Sequence, residues 1–355
     1  MLTYPASTPV NARVPFLDVR GRRCIVVAVA AVVALALPAG AAAPPAQGLA
    51  AWSVAIPQPG ALDITTPRSD GQMVVAAAGA LSLLRGATLT PFARGEGGYT
   101  TSAGEPYIAL SNGRRVRSAR CSFAKDDVFA IEPGDNPSVI RISPDGRAQP
   151  FAALMPGLFL AGLGFDTVGD YGYRLLVAAT VGSDVELIAV DCRGNARALA
   201  QSHRRHVEGG MAVAPRSFGR FGGRFIAADE NGGDLIAFDR KGRAHTLVAS
   251  GLPAGGDIGA ESIGFIPPRA GTNDLALLAD RGGQAEPHPG DDAFLGVRVG
   301  DLLRSGAKRG DLLAATEGGA QTIAVRCPRA CRVKRVAAGP PTAHAEGHIV
   351  IARGS

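Results

Sequence analysis

The stretch "RFIAADENGGDLIAFDRKGRAHTLV", Arg224 to Val248, reads as strand, turn, strand, turn, strand. Its apolar runs are short and rich in β-branched or aromatic residues, and Gly, Asn or Asp fills the gaps between them, which is the pattern of antiparallel strands joined by tight turns. The same order of runs and turns returns at "YRLLVAATVGSDVELIAVDCRGNARALA" (Tyr173 to Ala200) and at "DVFAIEPGDNPSVIRISPDGRAQPFA" (Asp127 to Ala152). Looser copies stand at "MVVAAAGALSLL", at "DLALLADRGG" with "DAFLGVRV", and at "DLLAATEGGAQTIAVRC". The small residue closing the first strand of each hairpin is Ala77, Ala130, Ala179, Ala228, Ala279 and Ala315, with gaps of 53, 49, 49, 51 and 36. Hairpins at a near-constant period indicate a propeller or solenoid, and four strands per unit is the propeller pattern.

An apolar run precedes most hairpins: "YIAL", "LGFD", "GMAVA", "IGFI" and, at the C-terminus, "HIVIA". These are the expected inner strands, which line the central channel. A Glu opens four of them: Glu105 in "EPYIAL", Glu208 in "EGGMAVAP", Glu261 in "ESIGFIPP" and Glu346 in "EGHIVIA"; the third unit has Ala161 there. Four carboxylates meeting on an axis repel unless they are protonated or bridged by a cation. Calcium, which takes six to eight oxygens, suits such a set. Glu105, Glu208, Glu261 and Glu346 are therefore the candidate metal ligands. In the competing reading each Glu accepts backbone N–H groups from the adjacent unit and ties unit to unit.

The expected fold is an all-β, six-bladed β-propeller, residues 61–355, with five blades plus an inserted hairpin as the alternative. "HIVIA" has no hairpin downstream, and the hairpin at Ala77 has no Glu-marked inner strand before it. The C-terminal strand is thus expected to close the N-terminal blade and bury its edge. The gap of 36 leaves no room for a full unit, and "GDLLRSGAKRG" (Gly300 to Gly310) has helical composition where an inner strand is due. "SPDGRA", "DCRGNA" and "DRKGRA" occupy one equivalent turn in three units, where Asp supplies a local hydrogen bond and Gly a positive φ. "ADENGGD" (Ala228 to Asp234) is read in the same way, as a turn that needs no ligand.

The N-terminal part reads as a leader. "RGRR" precedes the apolar run Cys24 to Leu37, and "PAGAAAPP" offers small residues for cleavage, the order of a secretory signal peptide. Residues 1–43 are assigned to signal peptide and extension, and 44–60 to a linker. The protein is expected to be secreted or associated with the cell envelope. Residues 1–43 carry four Arg and one Asp, so half of the +6 formal charge leaves with them. "RRVRSAR", "HRRH" and "RACRVKR" remain as basic clusters in separate units without interleaved aromatics, which argues against a nucleic-acid stacking surface.

Four cysteines remain. "CPRAC" lies between two strand-like runs, and a Cys327–Cys331 bridge would pin that hairpin, leaving Cys121 with Cys192, one of three pairings. A zinc site needs about four converging N or S ligands, and no second Cys or His pair has the spacing. His203 and His206 beside Glu208, and His344 and His348 around Glu346, are the candidate ligand-binding histidines. Alternation along a strand would place His344, Glu346 and His348 on one face. No nucleophile elbow and no Walker loop is present, so no residue is assigned as catalytic.

With "RFIAADENGGDLIAFDRKGRAHTLV" and "LGFDTVGDYGYRLLVAA" (Leu163 to Ala179), the chain resembles the NHL and gluconolactonase-like (TolB-like) six-bladed propellers. The resemblance covers most of the chain after the leader and concerns fold. It implies a divalent metal in the central channel, held by a Glu and by amide or acidic residues at inner-strand ends. "GEPYIAL" is similar to the Glu-Gly-Pro opening of the lactonases, and Glu208 and Glu261 stand where their Asn is expected. The favoured function is an exported, monomeric binding or scaffold propeller with a ligand or metal site at the channel. Its partner would be a small molecule or cell-envelope component, with no nucleic acid and no membrane span beyond the leader. A calcium-dependent hydrolase of lactonase type is the second reading. A cell-envelope module that engages a polyanionic surface through its Arg clusters is the third.

Overall fold

A computed structural model describes residues 48–102, 104–203 and 206–354. The leader at 1–43, Cys24 within it, the first linker residues 44–47 and Arg204 and Arg205 of "HRRH" lie outside the described residues. The chain is all-β and propeller-like. Four antiparallel four-stranded sheets follow one another, each built from the centre outward. The first holds Ala61–Ile64, Met73–Ala77, Ala80–Arg85 and Thr88–Phe92. The second holds Ile108–Asn112, Lys125–Glu132, Ser138–Ile142 and Ala148–Ala153. The third holds Phe159–Phe165, Leu175–Val181, Asp184–Val190 and Ala196–His203. The fourth holds Val207–Val213, Phe225–Asp229, Asp234–Phe238 and Ala244–Ala249. The middle strands are buried on both faces, which is why they read as continuous apolar runs without alternation. In the three equivalent turns Gly146, Gly194 and Gly242 have φ of 88°, 82° and 85°, and Asp191 and Asp239 accept backbone N–H bonds within their own turns.

The remaining strands form one nine-stranded sheet in two halves. In one half Ala260–Phe265 pairs with Leu312–Thr316, followed outward by Thr322–Arg326, Arg332–Ala338 and the N-terminal Ala50–Ala51. In the other, Ala345–Ala352 pairs with Leu275–Asp280, followed by Ala293–Arg298 and Ser53–Pro57. A single parallel bridge, Ile263 with His348, joins the halves. The chain thus lays down the inner strand of one half, the hairpin of the other, the hairpin of the first, and last the inner strand of the second. This explains the gap of 36: the hairpin at Ala315 takes Ala260–Phe265 as its inner strand, and "GDLLRSGAKRG" contains the helix Val299–Arg304 as connector.

Two expectations are corrected. The C-terminal strand does not complete the sheet of the Ala77 hairpin; that sheet has its own inner strand, Ala61–Ile64, which Asp63 rather than a Glu marks. Nor is the segment 44–60 a linker throughout, because Ala50–Ala51 and Ser53–Pro57 are strands. Trp52 between them is buried, and its Nε1 donates to Thr322 Oγ1 at 2.8 Å.

Buried apolar side chains gather in six clusters among the described residues, each between consecutive sheets or sheet halves. The cluster between the second and third sheets is aromatic: Phe123, Phe129 and Phe165 pack edge to face with centroids 5.0 to 5.5 Å apart. The Cys121–Cys192 disulfide crosses the same junction, and Cys327–Cys331 closes its own hairpin. Loop-closure entropy grows with the length spanned, so the 71-residue bridge outweighs the 4-residue one. Replacing Cys121 and Cys192 with Ser is expected to cost about 4 kcal/mol, and replacing Cys327 and Cys331 about 2 kcal/mol, by urea unfolding under non-reducing conditions. Equal losses would contradict this ranking.

Candidate functional site

The glycines after Glu208 explain how its neighbours reach one another. Gly209 has φ of 80°, and a Cβ there would lie 2.4 Å from Glu261 Cγ; a Cβ on Gly210 would lie 2.2 Å from the Gly347 carbonyl oxygen. Only glycine permits this approach of backbone to backbone at the axis. Through it, carboxylates from four inner-strand openings come together at one mouth of the channel.

Tyr107 is at the centre. Its hydroxyl lies 2.7 Å from Glu261 Oε1, 2.8 Å from Glu346 Oε2 and 3.4 Å from Glu105 Oε2. Arg281 Nη1 donates to Glu105 Oε1 at 2.5 Å and to Glu346 Oε1 at 3.2 Å. On one flank His206 Nε2 stands 3.4 Å from Glu208 and 3.3 Å from Glu230. On the other, His344 Nε2 stands 2.6 Å from Glu317 and 3.5 Å from Glu346. A cavity of about 200 Å³ opens among Glu105, Glu208, Glu230, Glu261, Glu317 and Glu346.

Proton counting constrains this group. The Tyr107 hydroxyl carries one hydrogen and so donates to only one of its two close carboxyls; the other must donate in turn. Of the two, Glu261 is the carboxyl whose surroundings favour the proton. Its burial, then the charges of Glu346 and Glu317, push it well above the usual carboxylate range. Burial acts on Glu346 in the same direction, but His344, Glu261 as donor and Arg281 overcome it and hold it below that range. Glu208 is pushed up to about 8, by burial first, with His206 opposing and Glu105 adding to the rise. Glu317 rises to about 7, again by burial, against the pull of His344. His206 is raised to about 10 by its bonds to Glu208 and Glu230. His344 reaches about 10 although burial opposes it, because Glu317 and Glu346 face it. Six carboxyls face one guanidinium and two imidazoles, an excess of negative charge that calls for protons or a cation.

All four candidate glutamates therefore converge, joined by His206 and His344. His203 does not reach the site; it is exposed and pairs with Asp184 at 2.7 Å. His348 lies one level deeper, because Gly347 with φ of 65° breaks the alternation that would have aligned it with His344. There His348 Nδ1 bonds Asp63 at 2.9 Å and Nε2 bonds the Met211 carbonyl at 3.0 Å. Asp63 is fully buried and also accepts the backbone N–H groups of Ile64, Ile108 and His348, each at 2.8 Å. Tying strand to strand through the backbone, the alternative role considered for the glutamates, is thus performed by Asp63.

The sequence reading did not single out Glu230, Arg281, Glu317 or Tyr107. The first three share a signal: each stands two residues after the Ala that closes its hairpin's first strand, at Ala228, Ala279 and Ala315. "ADENGGD" is accordingly more than a turn, since Glu230 bonds the Asp257 N–H at 2.9 Å with one oxygen and faces His206 with the other. Tyr107 had no signal beyond following Glu105 by two.

No protein-family description matches the chain, and no curated protein sequence matches it. Solved structures of similar fold include a streptogramin B lyase, at 11% identity and TM-score 0.44 over 86% of this chain and 93% of that one. A gluconolactonase from Xanthomonas campestris matches at 16% identity and TM-score 0.38, over 65% of this chain and 70% of that one. A TolB-like protein from Agrobacterium tumefaciens matches at 9% identity and TM-score 0.43, over 81% and 83%. The likeness is one of fold.

Proposed function

We propose that this chain is an exported six-bladed propeller whose carboxylate-lined mouth binds a divalent cation. The observation that carries the reading is the meeting of Glu105, Glu208, Glu261 and Glu346, from separate strand openings, around one cavity. Carboxylate oxygens outnumber nitrogens there, a donor set that fits a hard cation and favours calcium. The groups His206–Glu208–Glu230 and Glu317–His344–Glu346 each present three donor atoms within 4.8 Å of one another and extend the set on both sides. Counting the halves of the nine-stranded sheet separately supports six blades, since each of the six apolar clusters then has its own pair. Two disulfides favour an oxidising compartment.

Calcium titration by calorimetry at about pH 8, with manganese and zinc as comparators, tests the site. Saturable binding in the native protein should weaken by about 100-fold or more in the Glu208→Gln, Glu261→Gln double variant, exceeding what loss of an outer-shell partner causes. Identical heats from both proteins would sink the reading.

A metal-dependent hydrolase of lactonase type is the second reading, favoured by one observation. Glu208 stands 3.4 Å from His206 at the cavity wall, and burial pushes its carboxyl up to about 8, close to the range in which a general acid or base works best. A bound cation would polarise a lactone carbonyl or its attacking water. Turnover of a lactone panel that requires cation and disappears in Glu208→Gln would support it. A flat panel leaves the protein a binding module.

A further inference from the structure

The channel has a second, opposite end, and its chemistry is the reverse of the first. A cavity of about 410 Å³ opens there among the far ends of the inner strands. Leu110, Phe165, Val213, Phe265 and Ile351 form much of its wall, and Pro67, Pro215 and Pro267 stand at its rim. The repeat places them: in "EGGMAVAP" and "ESIGFIPP" each inner strand runs from a Glu to a Pro, so one mouth is acidic and the other apolar.

The cavity is blind. The approach of Gly210 to Gly347 pinches the channel, and His348 reaches across it from the C-terminal strand to Asp63 and to the Met211 carbonyl. Both imidazole nitrogens are therefore committed. No other titratable side chain lines the cavity among the described residues. Thr65 Oγ1 is likewise engaged, donating to the Thr66 carbonyl and accepting from Val74 N–H. Nothing there recognises an ion, while Thr66 and Thr167 at the wall offer at most a pair of hydroxyls.

We propose that this funnel is a binding site for an uncharged, predominantly apolar small molecule. Its volume falls in the roughly 300–1,000 Å³ range of small-molecule pockets, which are concave, apolar and set with few polar groups. The proline rim fixes the backbone in advance, so binding costs little reorganisation. The site does not depend on the cation reading, because the pinch and His348 separate the two ends.

The uncharged fluorophore N-phenyl-1-naphthylamine serves as probe on the native protein. Its fluorescence should rise saturably, to a stoichiometry of about one per chain. Thr167→Trp, an exposed rim substitution that fills the mouth, and Ile351→Lys, which places a charge in the wall, should each weaken binding about tenfold or more. The melting temperature of Thr167→Trp should be unchanged, which separates blockage from unfolding. The Glu208→Gln, Glu261→Gln protein should bind the probe as the native protein does, whatever becomes of its calcium affinity. A signal that does not saturate, or one equal in native protein and Thr167→Trp, overturns the proposal.

Discussion

In a chelating buffer the melting temperature should fall as pH is raised from about 5 to about 9, and millimolar calcium should restore it most at the alkaline end. Glu208 and Glu317 keep their protons in the fold longer than in the open chain. Their stabilising contribution is therefore lost as pH rises from the ordinary carboxylate value of 4.5 through about 8 and about 7. His206 and His344 act in the same direction: each stabilises fully below its ordinary 6.5 and loses that contribution as pH climbs toward about 10. Glu346 has the opposite sign, since its carboxyl is held below 4.5; its contribution is lost only as pH falls through that lower value. A bound cation would replace the departing protons. At a hundredfold excess over its Kd it should raise the melting temperature by about 5 °C, from about 2.7 kcal/mol of linkage and roughly 2 °C per kcal/mol in a domain of this size. Scanning fluorimetry with and without chelator reads both effects. A melting temperature that is flat across this range, or deaf to cations at about pH 9, would remove the electrostatic account of the site.

Asp63→Ala should be the most damaging single substitution. It leaves the His348 imidazole without its carboxylate and strands the N–H groups of Ile64, Ile108 and His348 at the axis. Breaking a buried pair by removing one partner costs about 3–5 kcal/mol, and each stranded buried donor adds about 1–3 kcal/mol. The variant should lose at least about 5 kcal/mol in urea unfolding, if it folds at all. Asp63→Asn keeps one oxygen to accept and should lose less. A loss below about 1 kcal/mol for the alanine variant would show that the strands hold their places without Asp63.

Much of this was legible in the chain. The evenly spaced alanines that close the first strands, and the Asp- and Gly-bearing turns, report hairpins formed between residues close in sequence, so they survive in the text as a period. The convergence of Glu105, Glu208, Glu261 and Glu346 could be read for the same reason, since equivalent positions of a repeat share a level of the channel. Asp63 was not legible, because its function depends on His348, 285 residues away. The exchange of hairpins between the halves of the nine-stranded sheet was also hidden. Nothing local in Leu275–Asp280 says that its inner partner is the last strand of the chain rather than the one just before it. Glu230 and Glu317 looked like turn residues because they are turn residues, and Arg281 looked like the residue after a strand; only the neighbouring connections, brought alongside, make Glu230 and Glu317 walls of one cavity and set Arg281 against Glu105 and Glu346.

That exchange of hairpins also sets a timetable for biogenesis. Strand Ala345–Ala352 brings Glu346 and His348, pairs with Leu275–Asp280, and is synthesised after every other strand of the described residues. Until it arrives, one hairpin has no partner, Asp63 has no imidazole, and the acidic mouth lacks a wall. The described sheets therefore cannot all be complete before this strand has been made.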